Sequence, residues 1–225
     1  MLTWLLLIMS LVILAGIIFI LWIGKRYQQA DWGSRWLNYL DGLNRYFCQK
    51  YHGLRHPLLP LPITGPIVVA ANHISGLDPL LMIAMINRPL RFLIAKEQYE
   101  RFGLQWFFRR LGCIPVDRSR RPQAAMRGAL RALQAGEVVA LFPQGGIQDP
   151  SRSKKVSKLK GGVVKLAIMS AAPIYMLRFS CVKAQGQVFL PILLPNKVIV
   201  DSYPPLYCQA EAEESYLDHI QRHIE

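Results

Sequence analysis

A histidine and an aspartate separated by four residues are the first side chains in this sequence that suit catalysis. They are His73 and Asp78, in the stretch VVAANHISGLDPLL of residues 68–81. An imidazole can take a proton from a hydroxyl, and a carboxylate on its other nitrogen would fix its tautomer and favour the protonated ring. So short a pattern also recurs by chance, and an aspartate before Pro79 is typical of a helix cap. Both interpretations are open at this point.

Other catalytic chemistries have less support in the sequence. The G-x-S-x-G motif of serine hydrolases is absent, so a histidine base here favours direct attack by a substrate hydroxyl. His219 and His223 have helical spacing but lack a third ligand, and we predict no metal site. The four cysteines form no C-x-x-C pair, which is typical of a reducing compartment.

From residue 66 onward, short β-branched runs alternate with longer helical stretches. The predicted strands are residues 66–71, 91–95, 113–117, 137–142, 173–180 and 197–201, and the predicted helices are residues 79–87, 97–111, 122–135 and 158–171. This alternation predicts an α/β fold with a mostly buried mixed sheet flanked by helices. In such sheets functional groups collect at the carboxyl ends of strands, which is where His73 falls.

The first 23 residues carry no charged side chain, and about 20 apolar residues suffice to span a bilayer as a helix. A cleaved signal peptide is disfavoured, because the apolar block is too long and GKRYQQ, rather than a small-residue cleavage site, follows it. Lys25 and Arg26 come directly after the block, so the positive-inside tendency places the rest of the chain in the cytoplasm. We expect a single-pass membrane protein whose catalytic domain faces the cytoplasm.

An aromatic-rich amphipathic helix is predicted after the span, at residues 31–51. Its tryptophans and tyrosines suit the membrane interface, and packing against the domain is an equally good interpretation. A proline-rich connector, RHPLLPLPITGP, follows. The expected organisation is a transmembrane anchor (1–24), an amphipathic helix with its connector (25–56) and one further domain (57–225).

The net charge of +13 predicts a polyanionic partner. Anionic lipid headgroups suit a membrane-anchored chain, and no nucleic-acid motif is present, so nucleic acid is disfavoured. Seven arginines between residues 88 and 131 suit coenzyme A phosphates, an acidic carrier protein or headgroups equally well: Arg101, Arg109, Arg110, Arg120, Arg121, Arg127 and Arg131. Beside them, LQWFFRRLG (residues 104–112) suits either the membrane interface or ordinary core packing.

Five ordered blocks lie between about residue 65 and residue 180. They are N-H-x4-D at Asn72, His73 and Asp78, GCIPVDR at 112–118, FPQGGIQ at 142–148, LKGGVVKLA at 159–167 and, in part only, APIYML at 172–177. In order and spacing they resemble the motifs of the membrane-associated glycerolipid acyltransferases of the 1-acylglycerol-3-phosphate O-acyltransferase (PlsC) type. The resemblance strengthens the catalytic interpretation of the histidine.

The resemblance implies acyl transfer from a thioester, acyl-CoA or acyl carrier protein, to a lysolipid hydroxyl, with no bound cofactor and no covalent acyl-enzyme. His73 would be the general base, Asp78 its orienter and Arg118 the contact to the acceptor phosphate. The further substrate-binding residues would be Asn72, Gln144, Gly145, Gly146 and Lys160. Backbone amides around the two glycines are candidate oxyanion donors, and a simple turn there is an equal alternative.

The preferred acceptor on this basis is 1-acylglycerol-3-phosphate, giving phosphatidate. A lysoglycolipid or other hydroxylated lipid, a non-catalytic lipid-binding role and a thioesterase activity are the alternatives. They arise because the third block departs from the usual F-P-E-G-T-R-S at Gln144, Gly146 and Ile147, which removes one carboxylate and one cation. Nearby cations that could compensate are Lys154, Lys155, Lys158 and Lys160.

Overall fold

The computed structural model describes residues 1–118, 123–149 and 159–224. Its helices are α1 (Leu2–Tyr27), α2 (Arg35–Lys50), α3 (Asp78–Met85), α4 (Lys96–Tyr99), α5 (Gln105–Arg110), α6 (Gln123–Gln134), α7 (Gly162–Ser170), α8 (Leu190–Leu193) and α9 (Glu213–Ile224), with a 3-10 turn at Ala210–Ala212. Its strands are β1 (Ile67–Ala71), β2 (Leu90–Ala95), β3 (Ile114–Val116), β4 (Val138–Leu141), β5 (Ile174–Ser180) and β6 (Ile199–Ser202).

The six strands form one sheet in the order β3-β2-β4-β1-β5-β6. Strands β1 to β5 are parallel, and β6 pairs with β5 in the antiparallel direction. The predicted α/β fold with a mixed sheet is therefore confirmed, and all six predicted strands are present. Because β1 lies beside β4, the segments that follow these two strands meet at one edge of the sheet.

Alternating side chains of the central strands enter two separate apolar layers. In β1, Ile67, Val69 and Ala71 face a core shared with α3 and the end of α2. Val68 and Ala70 face a second core shared with α6, α7 and α9. Burial on both faces explains why the strands read as continuous apolar runs.

One predicted helix is wrong in its extent. Residues 97–111 contain two short helices, α4 and α5, because the chain turns between them at Gly103, which adopts a φ of +79°. Glycine is the residue that takes this left-handed conformation without steric cost. The turn leaves Phe102, Leu104 and Trp106 exposed.

Helix α1 is long and apolar enough to cross a membrane between Thr3 and Tyr27, and most of its surface is exposed. Its last turns cross α2 at Gly24 and Gly42, where a side chain on Gly42 would overlap the Gly24 carbonyl. Helix α2 in turn packs against α3, with Leu37 buried and Leu40 exposed. The predicted helix after the span thus lies between α1 and the domain.

A buried ion pair fastens this arrangement. The Asp41 carboxylate accepts hydrogen bonds from the backbone N–H groups of Gln29 (2.9 Å) and Ala30 (3.2 Å) and pairs with Arg45 Nε at 2.8 Å. The same guanidinium donates to the carbonyl of Ala84 at 2.8 Å, at the C-terminal end of α3. Both charged side chains are almost fully buried, so removal of either one would leave the other as an unpaired buried charge.

Replacing Arg45 with methionine should lower the free energy of unfolding by about 3–5 kcal/mol, because Asp41 would become an unpaired buried charge. The measurement is denaturant unfolding of the full chain in detergent. Arg35→Met, at the exposed first turn of the same helix, is the control and should change stability by less than about 0.5 kcal/mol. Equal unfolding midpoints for the two variants would contradict the structural role of the pair.

Candidate active site

His73 and Asp78 are in direct contact at the end of β1. His73 Nδ1 lies 2.9 Å from Asp78 Oδ2, and the Asp78 side chain is fully buried while the imidazole is 16% exposed. A carboxylate only accepts hydrogen bonds, so Nδ1 is the nitrogen that carries the proton. Nε2 is then left as the nitrogen that can take a proton from a bound hydroxyl.

The Asp78 carboxylate is the acceptor for the whole loop between β1 and α3. Oδ2 also accepts from the N–H groups of Ile74 (2.7 Å) and Ser75 (2.8 Å), and Oδ1 accepts from Ser75 Oγ at 2.6 Å. The predicted capping role is wrong: α3 begins at Asp78 itself, Leu77 precedes it, and no side chain caps the helix. The carboxylate turns back to the loop because the loop amides and the imidazole are its donors.

The imidazole is held on a second side by the segment that follows β4. The Phe142 ring stacks on it, with centroids 4.0 Å apart and an interplanar angle of 14°. Gln144 Oε1 accepts the backbone N–H of His73 at 2.7 Å, and Gln148 N–H donates to the His73 carbonyl at 2.7 Å. The neutral Gln144 therefore supplies the acceptor that a glutamate would supply here, without its charge.

The Asn72 side chain is hydrogen-bonded to β5 in the described part of the chain. Its Nδ2 donates to the Phe179 carbonyl at 2.8 Å, and its Oδ1 accepts the Phe179 N–H at 2.7 Å. The side chain is 5% exposed and is not among the cavity-lining residues described below. Asn72 thus fastens the end of β1 to β5.

The two glycines after β4 form a tight turn. Gly145 has a φ of +76°, and its N–H donates to the Phe142 carbonyl at 2.9 Å, so this amide is already engaged. A Cβ on Gly145 would lie 2.6 Å from Lys160 Nζ, which means that the lysine side chain passes directly over this glycine. Around Gly146 there is open space, and in the described ranges its N–H has no hydrogen-bond acceptor.

A large apolar cavity of about 1350 Å³ adjoins the imidazole of His73 and the two glycines. Five of the site residues named from the sequence line it at the edge of the sheet: His73, Arg118, Gly145, Gly146 and Lys160. The other three, Asn72, Asp78 and Gln144, do not line it. Its apolar wall comes from α2, α3 and α5, including Leu40, Leu43, Phe47, Leu80, Ile83 and Phe107. Lys154, Lys155 and Lys158, like Arg120 and Arg121, lie outside the described residues.

Cys113 also lines the cavity, but it does not suit nucleophilic catalysis. Burial raises the pKa of its thiol to about 12, so the thiol is protonated at neutral pH. No group of three metal-ligating side chains occurs within the ranges that the structure describes. The imidazole of the histidine–aspartate pair faces this cavity.

Residues 182–189 form a further part of the site that sequence reasoning missed. Gly76 N–H donates to the Gln187 carbonyl at 3.0 Å, and Gly186 N–H donates to the Ile74 carbonyl at 2.8 Å. A Cβ on Gly76 would overlap the carbonyl of Val188, so this close approach requires glycine. No periodicity or spacing in the sequence links these two distant loops; Gly76 inside the H-x4-D loop was the available signal.

Comparisons with known proteins agree with this geometry. The Acyltransferase family model matches residues 50–180, more than half of the chain. A 1-acyl-sn-glycerol-3-phosphate acyltransferase of Bacillus subtilis is 25% identical over 51% of this chain and 55% of its own length. A probable enzyme of the same name from Mycoplasma pneumoniae is 29% identical over 48% of this chain and 42% of its own length.

The fold is also that of a solved structure, the 1-acyl-sn-glycerophosphate (LPA) acyltransferase PlsC from Thermotoga maritima. The TM-score is 0.62 at 21% identity, covering 85% of this chain and 81% of that one. The chain spans about half the length of the curated relatives it matches. From the extent of the family match, the chain belongs to the Acyltransferase family.

Proposed function

We propose that this protein transfers an acyl group from a thioester, acyl-CoA or acyl carrier protein, to the hydroxyl of a lysolipid. The preferred acceptor is 1-acylglycerol-3-phosphate, and the product is then phosphatidate. One observation carries the proposal: the His73–Asp78 pair lies at 2.9 Å beside a large apolar cavity whose lining includes two cations, Arg118 and Lys160. The names of the curated relatives support the same acceptor.

The chemistry needs only one proton carrier. Nε2 of His73 removes the hydroxyl proton as the acceptor oxygen attacks the thioester carbonyl carbon. The tetrahedral intermediate collapses by breaking the carbon–sulfur bond, and the imidazolium returns the proton to the departing thiolate. The buried Asp78 carboxylate stabilises the imidazolium between these two steps. No protein side chain becomes acylated and no bound cofactor takes part.

The oxyanion of the tetrahedral intermediate requires a hydrogen-bond donor close to the imidazole. The Gly146 N–H suits this role, because it lacks an acceptor among the described residues and the space where a Gly146 side chain would lie is open. The neighbouring amide of Gly145 is already bonded to Phe142 and is excluded. Gly145 instead leaves room for the Lys160 side chain.

Among the described residues, Arg118 and Lys160 are the two cations that line the cavity, and they would bind the acceptor phosphate. A guanidinium presents two N–H donors that match phosphate oxygens, and an ammonium adds a flexible point charge. Ile147 stands where the family pattern has an arginine, so Lys160 would supply the second positive charge.

The apolar cavity would hold the acyl chain. Its volume of about 1350 Å³ exceeds the roughly 300–1000 Å³ of ordinary ligand pockets, so it has room for a long hydrocarbon chain. Helix α2 contributes to its wall and crosses α1, so the chain site lies next to the apolar anchor. With Lys25 and Arg26 after that anchor, the domain would face the cytoplasm, where acyl thioesters are soluble and anionic headgroups attract the positive chain.

An acceptor with less negative charge is the second candidate. Gln144 and Ile147 are both neutral where the family pattern is charged, and both lie at the turn beside His73. A lysoglycolipid or another hydroxylated lipid would fit such a site. A thioesterase would differ in using water, and a lipid-binding protein would leave the thioester intact.

Replacing His73 with alanine should lower acyl transfer by about 10²- to 10⁴-fold, because the acceptor hydroxyl would lose its general base. The assay is transfer of a labelled acyl group from a thioester to a panel of lysolipids by purified full-length protein in membranes. His219→Ala, on α9 in the opposite layer, is the matched control and should keep wild-type activity. Undiminished transfer by the His73 variant would refute the mechanism, and thioester loss without any acceptor would favour a thioesterase.

Replacing Arg118 with alanine should raise the KM for 1-acylglycerol-3-phosphate by roughly tenfold to a hundredfold, since a charged hydrogen bond contributes about 1.5–3 kcal/mol. Its effect on kcat should be small, because the phosphate is remote from the reacting bond. The control is Arg127→Ala, an exposed arginine on α6. An unchanged KM for the phosphate-bearing acceptor would contradict the assigned contact, and an activity confined to uncharged acceptors would support the second candidate.

A further inference from the structure

We propose that two exposed segments, residues 101–106 and residues 188–193, form a membrane-docking patch distinct from α1 and α2. We call them together the docking patch. Its partner is the surface of a bilayer that contains anionic phospholipid. The patch would fix the orientation of the domain on the membrane that α1 anchors.

Large apolar side chains of the docking patch point into solvent. Phe102 is fully exposed, and Trp106, Phe189 and Leu193 are 61%, 62% and 68% exposed. A soluble protein surface rarely displays so many large apolar groups in two neighbouring turns without a partner. Tryptophan and phenylalanine are residues that insert their rings at the level of lipid headgroups.

The two segments are neighbours on one side of the sheet. The Arg101 guanidinium lies over the Phe189 ring, 5.9 Å from its centroid, and so joins one segment to the other. Phe108 of α5 and Ile192 of α8 pack against the same apolar core, the layer that α3 and the end of α2 share. The exposed side chains therefore extend from the layer on which the membrane-proximal helices lie.

The docking patch is continuous with the apolar anchor. Trp106 stacks on Trp36 of α2, with ring centroids 5.4 Å apart. Helix α2 crosses α1 at Gly42 and Gly24, where α1 leaves its long apolar stretch. One helix thus separates the docking patch from the segment that would enter the bilayer.

The charges around the docking patch suit an anionic surface. Arg101, Arg109 and Arg110 are exposed, and each basic residue near such a surface contributes about 1 kcal/mol. Two acids are nearby, Glu97 on α4 and Glu100 directly after it. Glu100 lies 3.8 Å from Lys96, which offsets its negative charge. An acidic protein would also meet these arginines, but it would need a shaped pocket for each exposed ring such as Phe102, whereas a bilayer takes up such rings without one.

The docking patch also touches the catalytic loop. Residues 186 and 187 form backbone hydrogen bonds with the loop of His73. The next two residues are Val188, which lines the cavity, and Phe189, which is exposed. Docking of Phe189 would therefore hold the segment that supports the catalytic loop and place the cavity against the lipid surface. This last step rests on the proposed function, whereas the docking surface itself does not.

The test measures how close a fluorescent label lies to the lipid. The label is attached to the full chain in nanodiscs of phosphatidylcholine and phosphatidylglycerol. Single cysteines replace Phe102 or Phe189 in a background with Cys181→Ser and Cys208→Ser, because these are the exposed and the partly exposed native thiols in the described ranges. The buried thiols of Cys48 and Cys113 have pKa values raised to about 12 by burial and resist labelling. The matched control is Met169→Cys, 63% exposed on α7 in the opposite layer.

We expect spin-labelled lipid to remove more than about half of the emission at positions 102 and 189, with a blue shift, and to leave position 169 unchanged. Equal quenching at all three positions, or water-exposed labels at 102 and 189, would overturn the proposal and leave the apolar surface to a protein partner. The labels report docking whether or not acyl transfer occurs, so this result is independent of the proposed activity. In an active protein, Phe102→Ser combined with Phe189→Ser should slow transfer to bilayer-embedded lysolipid, while Met169→Ser should not.

Discussion

The hydrogen bonds to the buried carboxylate of Asp78 are the interaction on which the site depends. A charge without exposure must be paired and hydrogen-bonded, and this one accepts from two backbone amides, one hydroxyl and the imidazole of His73. The loop is short because the carboxylate draws its donors from residues three to five positions earlier. The same bonds that stabilise the turn also fix which imidazole nitrogen faces the substrate.

The rest of the fold supports this loop from several directions. The parallel arrangement of β1 and β4 places Phe142 on one face of the imidazole and Gln144 on its backbone. Residues 186 and 187 bond to the loop from the side of β5. At the far end of α3, the Arg45–Asp41 pair ties the helix to the turn between α1 and α2. The loop of His73 and the apolar helix α1 are thus connected through α3 and this ion pair.

Much of the architecture could be predicted from local sequence pattern. Short runs rich in apolar and β-branched residues predicted all six strands. The signal is clearest in β1 and β4, which are buried on both faces and leave no room for polar side chains. The ordered blocks predicted that His73, Gln144 and Arg118 each follow a strand of one sheet. The sheet topology brings the side chains of His73 and Arg118 to one edge of the cavity. The N-terminal helix required only its length and composition.

What sequence reasoning missed depends on contacts between distant residues. The left-handed turn at Gly103 separates helix α4 from α5, and hydrogen-bond donors in the loop direct the Asp78 carboxylate inward. Hydrophobic periodicity reports neither feature. Asp41 and Arg45 have ordinary i, i+4 spacing on α2, and their burial follows from packing against α1 and α3, which local sequence pattern does not report. Residues 182–189 carry no motif, and their role arises only from folding against Gly76.

The most direct test of this account is the tautomer of His73, measured by nitrogen-15 NMR of the histidine-labelled full chain at neutral pH. Because Asp78 accepts the proton of Nδ1, we predict that the neutral form of the ring is protonated at Nδ1, which leaves Nε2 unprotonated and available as base. In Asp78→Asn this preference should be lost. A wild-type ring protonated at Nε2 would contradict the assignment of His73 as the base that accepts the acceptor hydroxyl proton.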